Sequence, residues 1–202
     1  MTIAYPYERS LYVNITNRCP NRCSFCVRTQ ADGFYANNLW LSREPSAEEI
    51  LNDILAHEPQ TYESIVFCGY GEPTERLDTM LTVCDQLKAI NPFIIRLNTN
   101  GQSDLIAGYP TAPLLAGRID VVSISLNAPT AESYEDLCHS RYGTGAFPAI
   151  LAFAKEAKAY VPQVVFSVVK DSIPDAEIDA CRAVAAACDI PLRVREYIRT
   201  NS

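Results

Sequence analysis

The residues that promise chemistry are Cys19, Cys23 and Cys26, set in the run CPNRCSFC at residues 19–26. Three thiolates this close together in a loop can wrap a soft metal centre, because sulfur ligands favour iron–sulfur clusters, zinc and Cu(I). A closed zinc site or a ferredoxin-type cluster takes four protein ligands. This run offers three, with no obvious fourth nearby. A cubane held by three cysteines leaves one iron open to a substrate or cofactor. Three plainer readings compete. A disulfide framework needs an oxidising compartment, and the N-terminal residues lack the basic and apolar regions of a signal peptide. A structural zinc site could enlist His57 or His139. A chance cluster of core cysteines sits badly with Pro20, Asn21 and Arg22 in the loop.

The pattern resembles the hallmark of the radical S-adenosylmethionine (radical SAM) enzymes, C-x3-C-x-Φ-C with Φ aromatic. Cys19, Cys23, Phe25 and Cys26 match it. The resemblance implies a [4Fe–4S] cluster whose fourth iron is chelated by the amino and carboxylate groups of SAM. An electron from the cluster would cleave SAM to methionine and a 5′-deoxyadenosyl radical. It also implies that Phe25 lies against adenine and that a donor such as flavodoxin or ferredoxin supplies the electron. The protein's part is then orientation and exclusion of water.

Other polar residues fall where strands are expected to end. Gly69, Tyr70, Gly71, Glu72 and Pro73 follow the second strand. Glycines let backbone approach a ligand closely, and Glu72 with exposed carbonyls could accept hydrogen bonds from a cationic amine. The run resembles the family's GGEP motif, which binds the SAM amino group, with Tyr70 as the departure; the plainer reading is a tight strand-to-helix turn. Asn98 and Asn100 end the third strand, either as ligand contacts or as a turn with Asn and Gly in left-handed backbone. Ser123, Ser125 and Asn127 lie late in the fourth strand. By resemblance, strands three and four contact the SAM ribose and carboxylate, and the segment from Ser167 to Asp171 is similar, more loosely, to a later SAM-binding strand.

Substrate contacts are expected from Arg28, Tyr35, Trp40, Arg43, Arg195, Glu196 and Tyr197, all polar or aromatic residues of rim segments. Trp40, the single tryptophan, either faces the cluster or anchors a long loop on the core. Arg141 reads as a solvated arginine. Cys84, Cys181 and Cys188 stand at apolar helical positions and read as core. Cys181 and Cys188 are separated by roughly 10 Å of helix, too far to share one metal. Cys68 and Cys138 fall near rim segments, with packing as their plainer role.

The elements that must position these residues alternate. Strands are expected at Leu11–Thr16, Ser64–Cys68, Phe93–Asn98, Ile119–Leu126, Gln163–Val169 and Pro191–Ile198. Helices are expected from Ser46, where Glu49 completes a capping box, to His57; from Leu77 to Leu87; weakly at Thr111–Gly117; and at Ala131–Cys138, Phe147–Tyr160 and Pro174–Cys188. Six β/α repeats imply right-handed crossovers and a parallel sheet. Six units are too few for a closed eight-stranded barrel, so one domain over residues 1–202, an α/β partial (β/α)6 TIM-like barrel, is expected; a flat doubly wound sheet is the alternative. In such folds sites gather at the carboxyl ends of strands.

With 48% apolar and 20% charged residues the chain is globular in composition, and a net charge of −7 argues against a strong electrostatic grip on nucleic acid. No apolar run is long enough to span a bilayer, and a reducing cytoplasmic setting is expected. The compact length, the NRCPNRCSFCVR opening, the LWLSREPS stretch and the GYGEPT run resemble the small TatD-linked radical SAM proteins. That resemblance implies a functional link to a TatD-type metal-dependent hydrolase but no substrate. A small metabolite or nucleotide, a glycine of a partner enzyme as in glycyl-radical activases, and a non-catalytic iron–sulfur or zinc module all stay open. The glycine turn speaks against the last, because an electron carrier needs no amine site.

Overall fold

The computed structural model describes residues 1–29 and 38–197. Seven strands lie in one sheet in chain order: β1 (Ala4–Tyr7), β2 (Ser10–Val13), β3 (Ile65–Phe67), β4 (Ile95–Thr99), β5 (Val121–Ser125), β6 (Gln163–Val169) and β7 (Leu192–Arg195). β1 pairs with β2 antiparallel, and every later pair is parallel. The six parallel strands are the six expected from the sequence. β1 is an addition to that reading. Pro6 disguises it, since proline interrupts a ladder, yet β1 is an edge strand, where proline is tolerated.

The crossovers carry α1 (Ala47–Ala56), α2 (Leu77–Ile90), α3 (Ser103–Ala107), α4 (Ala131–Cys138), α5 (Ala146–Ala157) and α6 (Asp175–Ala187). The weak helix expected at Thr111–Gly117 is instead α3, stopped by Gly108 at φ +80°, followed by a single 3-10 turn at Ala112–Leu115. The α1 start is as expected: Glu49 N donates to Ser46 Oγ at 3.1 Å, and Ser46 N donates to Glu49 Oε2 at 2.8 Å. The first parallel strand is shorter than the apolar run suggests; past its end the side chains of Asn14 and Thr16 bond to Leu39 O and Glu44.

Strand alternation divides the sheet into two faces. One face carries Leu11, Val13, Ile65, Phe67, Ile95, Leu97, Val122, Ile124, Phe166 and Val168, all buried in one core with Ile50, Ile54, Met80, Leu87, Ile150 and Phe153 from the helices. Each large side chain withdrawn from water here contributes roughly 1.5–3 kcal/mol. By the same alternation, the opposite face carries Tyr12, Arg96, Asn98, Ser123, Ser125, Ser167, Arg193 and Arg195 among Val66, Val121, Val165 and Val169. It is the inner face of a partial TIM-like barrel, and its polarity is the first structural sign of a site. Among the described residues no helix is long and apolar enough to cross a membrane.

Candidate active site

The cysteine loop leaves β2 and lies on the C-terminal end of α4. Arg22 N donates to Cys138 O at 2.9 Å, Ser24 N to Leu137 O at 3.1 Å, and Arg141 N to Pro20 O at 2.9 Å. A helix ends with carbonyls that have no partner inside the helix, and here the cysteine loop supplies the donors. A buried side-chain network fixes the same contact. Asn21 Nδ2 donates to the Tyr134 hydroxyl oxygen at 2.9 Å, and Gln102 Nε2 donates to Asn21 Oδ1 and to that same hydroxyl oxygen, both at 2.9 Å. Ser140 Oγ closes it by donating to Gln102 Oε1 at 2.7 Å. These residues escaped the sequence reading. The only signal was an Asn between the first two cysteines, and its partners come from two distant segments.

Cys19, Cys23 and Cys26 are partly exposed free thiols. Burial pushes the Cys19 thiol up to about 12 and raises that of Cys26. Cys23 is raised by its hydrogen bond with Cys138, and by burial. Asn100 Nδ2 stands 4.0 Å from Cys19 Sγ as a weak donor. Among the described residues no three Cys, His, Asp or Glu side chains converge on a single metal ion. One zinc needs its ligands close-packed around it, whereas a cubane takes each cysteine on a different iron. Three free thiols in one short loop, with an N–H beside one sulfur, are a donor set that fits an iron–sulfur cluster. His57 is engaged with Asp53 O at 2.8 Å at the end of α1, and His139 is an exposed C-cap of α4.

The Gly69–Pro73 turn is locked to the loop by close packing. A Cβ on Gly71 would stand 2.3 Å from Thr16 O and 2.6 Å from Arg18 O; one on Gly69 would stand 2.0 Å from Asn14 Oδ1. Glu72 N donates to Arg18 O at 2.8 Å. The Glu72 side chain is buried and ties two strand ends together. Oε1 accepts from Thr74 N at 3.1 Å, Thr74 Oγ1 at 2.8 Å and Thr99 Oγ1 at 2.7 Å; Oε2 accepts from Asn100 N at 2.7 Å. Burial raises its carboxyl, and these donors oppose the rise.

The remaining strand-end residues gather on this rim. Asn98 Oδ1 accepts from Arg96 Nε at 2.9 Å, and Asn100 Oδ1 accepts from Gln102 N at 2.9 Å, so Asn100 makes the turn and also faces Cys19. Ser123 is buried, Ser125 is half-buried, and the register aligns Asn98 with Ser123 and Ser125 with Ser167. Asn127, at φ +60°, donates from Nδ2 to Cys138 Sγ at 3.4 Å, while its buried Oδ1 has no partner. Phe25 is half-buried against the main core.

The expected substrate contacts divide. Arg28 Nη2 donates to Asn21 O at 2.9 Å. Trp40 is 49% exposed and meets Tyr70 edge-on, with ring centroids 5.2 Å apart; it packs on the glycine turn instead of anchoring a loop in the core. Arg43 is bound to Glu49 at the start of α1 (Nη1 to Oε2, 2.8 Å), a helix-cap contact. Glu196 is exposed, 3.9 Å from Lys170, and Tyr197 is half-buried. Tyr35 lies outside the described residues, as does Ile198. Arg195 is on the inner face with its Nε buried and without a partner. Arg141 is exposed but paired, 3.5 Å from Glu75 and stacked over Tyr142. Cys68 is half-buried and hydrogen-bonded to Asn98. Cys138 is buried against Cys23, while Cys84, Cys181 and Cys188 are core residues.

The chain is similar in fold to SuiB of Streptococcus suis bound to its precursor peptide SuiA. The TM-score is 0.68 at 19% identity, over 93% of this chain and 39% of that one. SuiB bound to S-adenosylmethionine matches with a TM-score of 0.67 at 19% identity, over 95% of this chain and 41% of that one. A radical SAM methyltransferase from Sphaerobacter thermophilus gives 0.61 at 19% identity, over 96% of this chain and 68% of that one. The chain thus spans about two fifths of SuiB. No curated protein matches it significantly. The family model "Radical SAM superfamily" matches residues 13–183, from β2 into α6, so the chain belongs to the Radical SAM superfamily, enzymes that use a [4Fe–4S] cluster and SAM.

Proposed function

We propose that Cys19, Cys23 and Cys26 hold the [4Fe–4S] cluster and that the neighbouring strand ends hold SAM, for hydrogen abstraction from a small metabolite or nucleotide. The observation that carries this is the loop itself: three free thiols, pinned to α4, with Asn100 Nδ2 beside Cys19. When bound, the cluster and SAM supply reductive cleavage of the sulfonium and so the 5′-deoxyadenosyl radical.

The chain's own residues would do the rest. Glu72 keeps the Gly69–Gly71 backbone against the loop; among the described residues its Oε2 accepts from Asn100 N, and a carboxylate oxygen can take a second donor such as the SAM amine. Asn127 Oδ1 is an acceptor waiting for a donor, which a SAM hydroxyl or amine would provide. Asn98, Asn100, Ser123 and Ser125 offer neutral hydrogen bonds to the ribose and carboxylate, and Phe25 an apolar surface to adenine. Tyr70 carries Trp40 to the edge of the same turn. The motifs at residues 17–28 and 39–46 favour the TatD-linked subfamily, with flavodoxin or ferredoxin as electron donor and a TatD-type hydrolase as functional neighbour.

The test is anaerobic reconstitution followed by SAM and a strong reductant, with 5′-deoxyadenosine read by mass spectrometry. Its formation, and its loss in Cys26→Ala, is the expected result. If a filled, reducible cluster yields none, and SAM leaves the cluster's EPR signal unchanged, the proposal fails.

A further inference from the structure

Away from the inner face most arginines pair with carboxylates: arginines 9, 18, 43, 76, 118, 141 and 182 all form ion pairs. The inner face of the sheet breaks this habit. Arg96 on β4 and Arg193 and Arg195 on β7 point to the same side as Tyr12, Cys68 and Asn98, and the charge of Arg193 acts on both Arg96 and Arg195. Among the described residues none of the three pairs with a carboxylate. Arg96 gives its Nε to Asn98 Oδ1 at 2.9 Å, a neutral acceptor. Arg195 gives its buried Nε to nothing.

This arrangement is costly in a chain with 24 acidic and 17 basic residues, where carboxylates are plentiful. Burial and the neighbouring arginines both act against the charged form of Arg195. A buried N–H without an acceptor forfeits its hydration with no return. The Nε–H also forms one side of the guanidinium fork, and that side matches two oxygens of one carboxylate or phosphate. Its two cationic neighbours, Arg96 and Arg193, can accept nothing from it, and Arg193 beside it is exposed, which leaves a route for a ligand.

We infer that the inner face of the sheet is a binding subsite for an anionic group of the substrate, a carboxylate or phosphate, held by the Arg195 fork with Arg96 and Arg193 beside it. The inference rests on the radical SAM reading only in calling that ligand the substrate; anion binding itself does not depend on SAM chemistry. It narrows the substrate class to acids and phosphate esters and sets neutral metabolites aside.

The test is calorimetric titration of the anaerobically reconstituted protein with inorganic phosphate, succinate and uncharged glycerol, and separately with SAM. At least one anion is expected to bind tenfold or more tightly than glycerol; whether phosphate or succinate wins tells which oxyanion fits. Arg195→Gln is expected to weaken that anion at least tenfold, and Arg118→Gln, whose partner is Asp85 on the outer surface, to leave it unchanged. Arg195→Lys keeps the charge but removes the Nε–H. It carries the test if the Gln variant does not fold, with a several-fold loss expected. Equal binding of anions and glycerol, or an Arg195 variant with unaltered anion affinity, overturns the inference. So does an Arg195 variant that loses SAM affinity while keeping anion affinity, since the arginine would then serve the cofactor. A wild-type protein that binds the anions but not SAM instead refutes the proposed function and leaves the anion site standing.

Discussion

Gln102 Nε2 donates to Asn21 Oδ1 at 2.9 Å, and both side chains are buried. The residue between the first two cysteines is therefore held by the segment that follows β4, and through the Tyr134 hydroxyl by α4 as well. The cysteine loop does not hang from β2 alone. Its backbone is fixed from three segments before any metal arrives, which reduces the ordering cost of binding one.

Tyr134→Phe tests that scaffold. The hydroxyl oxygen accepts from two buried N–H groups, and removing it leaves both short of an acceptor. A loss of about 1–3 kcal/mol in denaturant stability is expected, the usual penalty for unsatisfied buried donors. Iron retained after desalting should fall with it. Unchanged stability would mean that water fills the place of the hydroxyl.

Glu72 joins the β3 and β4 ends through four donors. Glu72→Ala should cost about 3 kcal/mol, since buried hydrogen bonds to a carboxylate are strong and their donors would be stranded. On protein that still carries its iron, SAM affinity is expected to fall at least tenfold. A stability loss with SAM affinity intact would make Glu72 a strut only.

The number of ligands is open to a direct count. Wild-type protein reconstituted without oxygen should hold about four irons. Cys19→Ala, Cys23→Ala and Cys26→Ala should each retain almost none. Cys138→Ala should keep about four, although Cys138 touches Cys23. Iron loss in the Cys138 variant would make it a fourth ligand and close the site to SAM.

The α1 start provides a pH signature. Arg43, the Ser46 backbone N–H and the Ser46 hydroxyl hold the Glu49 carboxyl down at about 2, from an ordinary value of 4.5. A depressed acid stabilises the fold above its unfolded value and loses that contribution as pH falls toward its folded one. Wild type should therefore be more stable than Glu49→Gln at neutral pH. The gap should shrink between pH 4.5 and 2, as followed by thermal unfolding. Because the pair is exposed the gap is small, and a constant gap across that range would place the effect in the helix cap alone.

Local chemistry made much of this legible in advance. Alternation and capping placed six parallel strands and every helix but α3, because Ser46, Glu49 and the apolar periodicities act within a few residues. Pro6 hid β1, since its tolerance depends on an edge position that only the assembled sheet defines. The cysteines and the glycine turn were visible because their spacing is itself the chemistry. Asn21, Gln102, Tyr134 and Ser140 were not, because their bonds join residues 81 and 113 positions apart, and nothing in a neutral amide announces its partner. Arg195 could be noted as polar, but its missing partner is a property of the packed inner face.

Gly71→Ala puts the link between the glycine turn and the cluster loop to its hardest test. The new methyl group would meet Thr16 O at 2.3 Å and Arg18 O at 2.6 Å, both backbone atoms. Side chains can rotate away from a clash, but here the chain that leads into Cys19 must itself move. Overpacking of this kind costs about 1–3 kcal/mol. The displaced segment also carries Arg18 O, the acceptor for Glu72 N, so the loss should extend to the cluster, with iron content falling well below four. Gly69→Ala meets the side chain of Asn14 instead, at 2.0 Å from Oδ1. That amide can yield at the expense of its bonds to Leu39 O and Tyr70 N. Gly69→Ala should therefore lose stability but keep more iron than Gly71→Ala. The reverse order would mean that the glycine turn is held by Asn14 and not by the backbone of the loop.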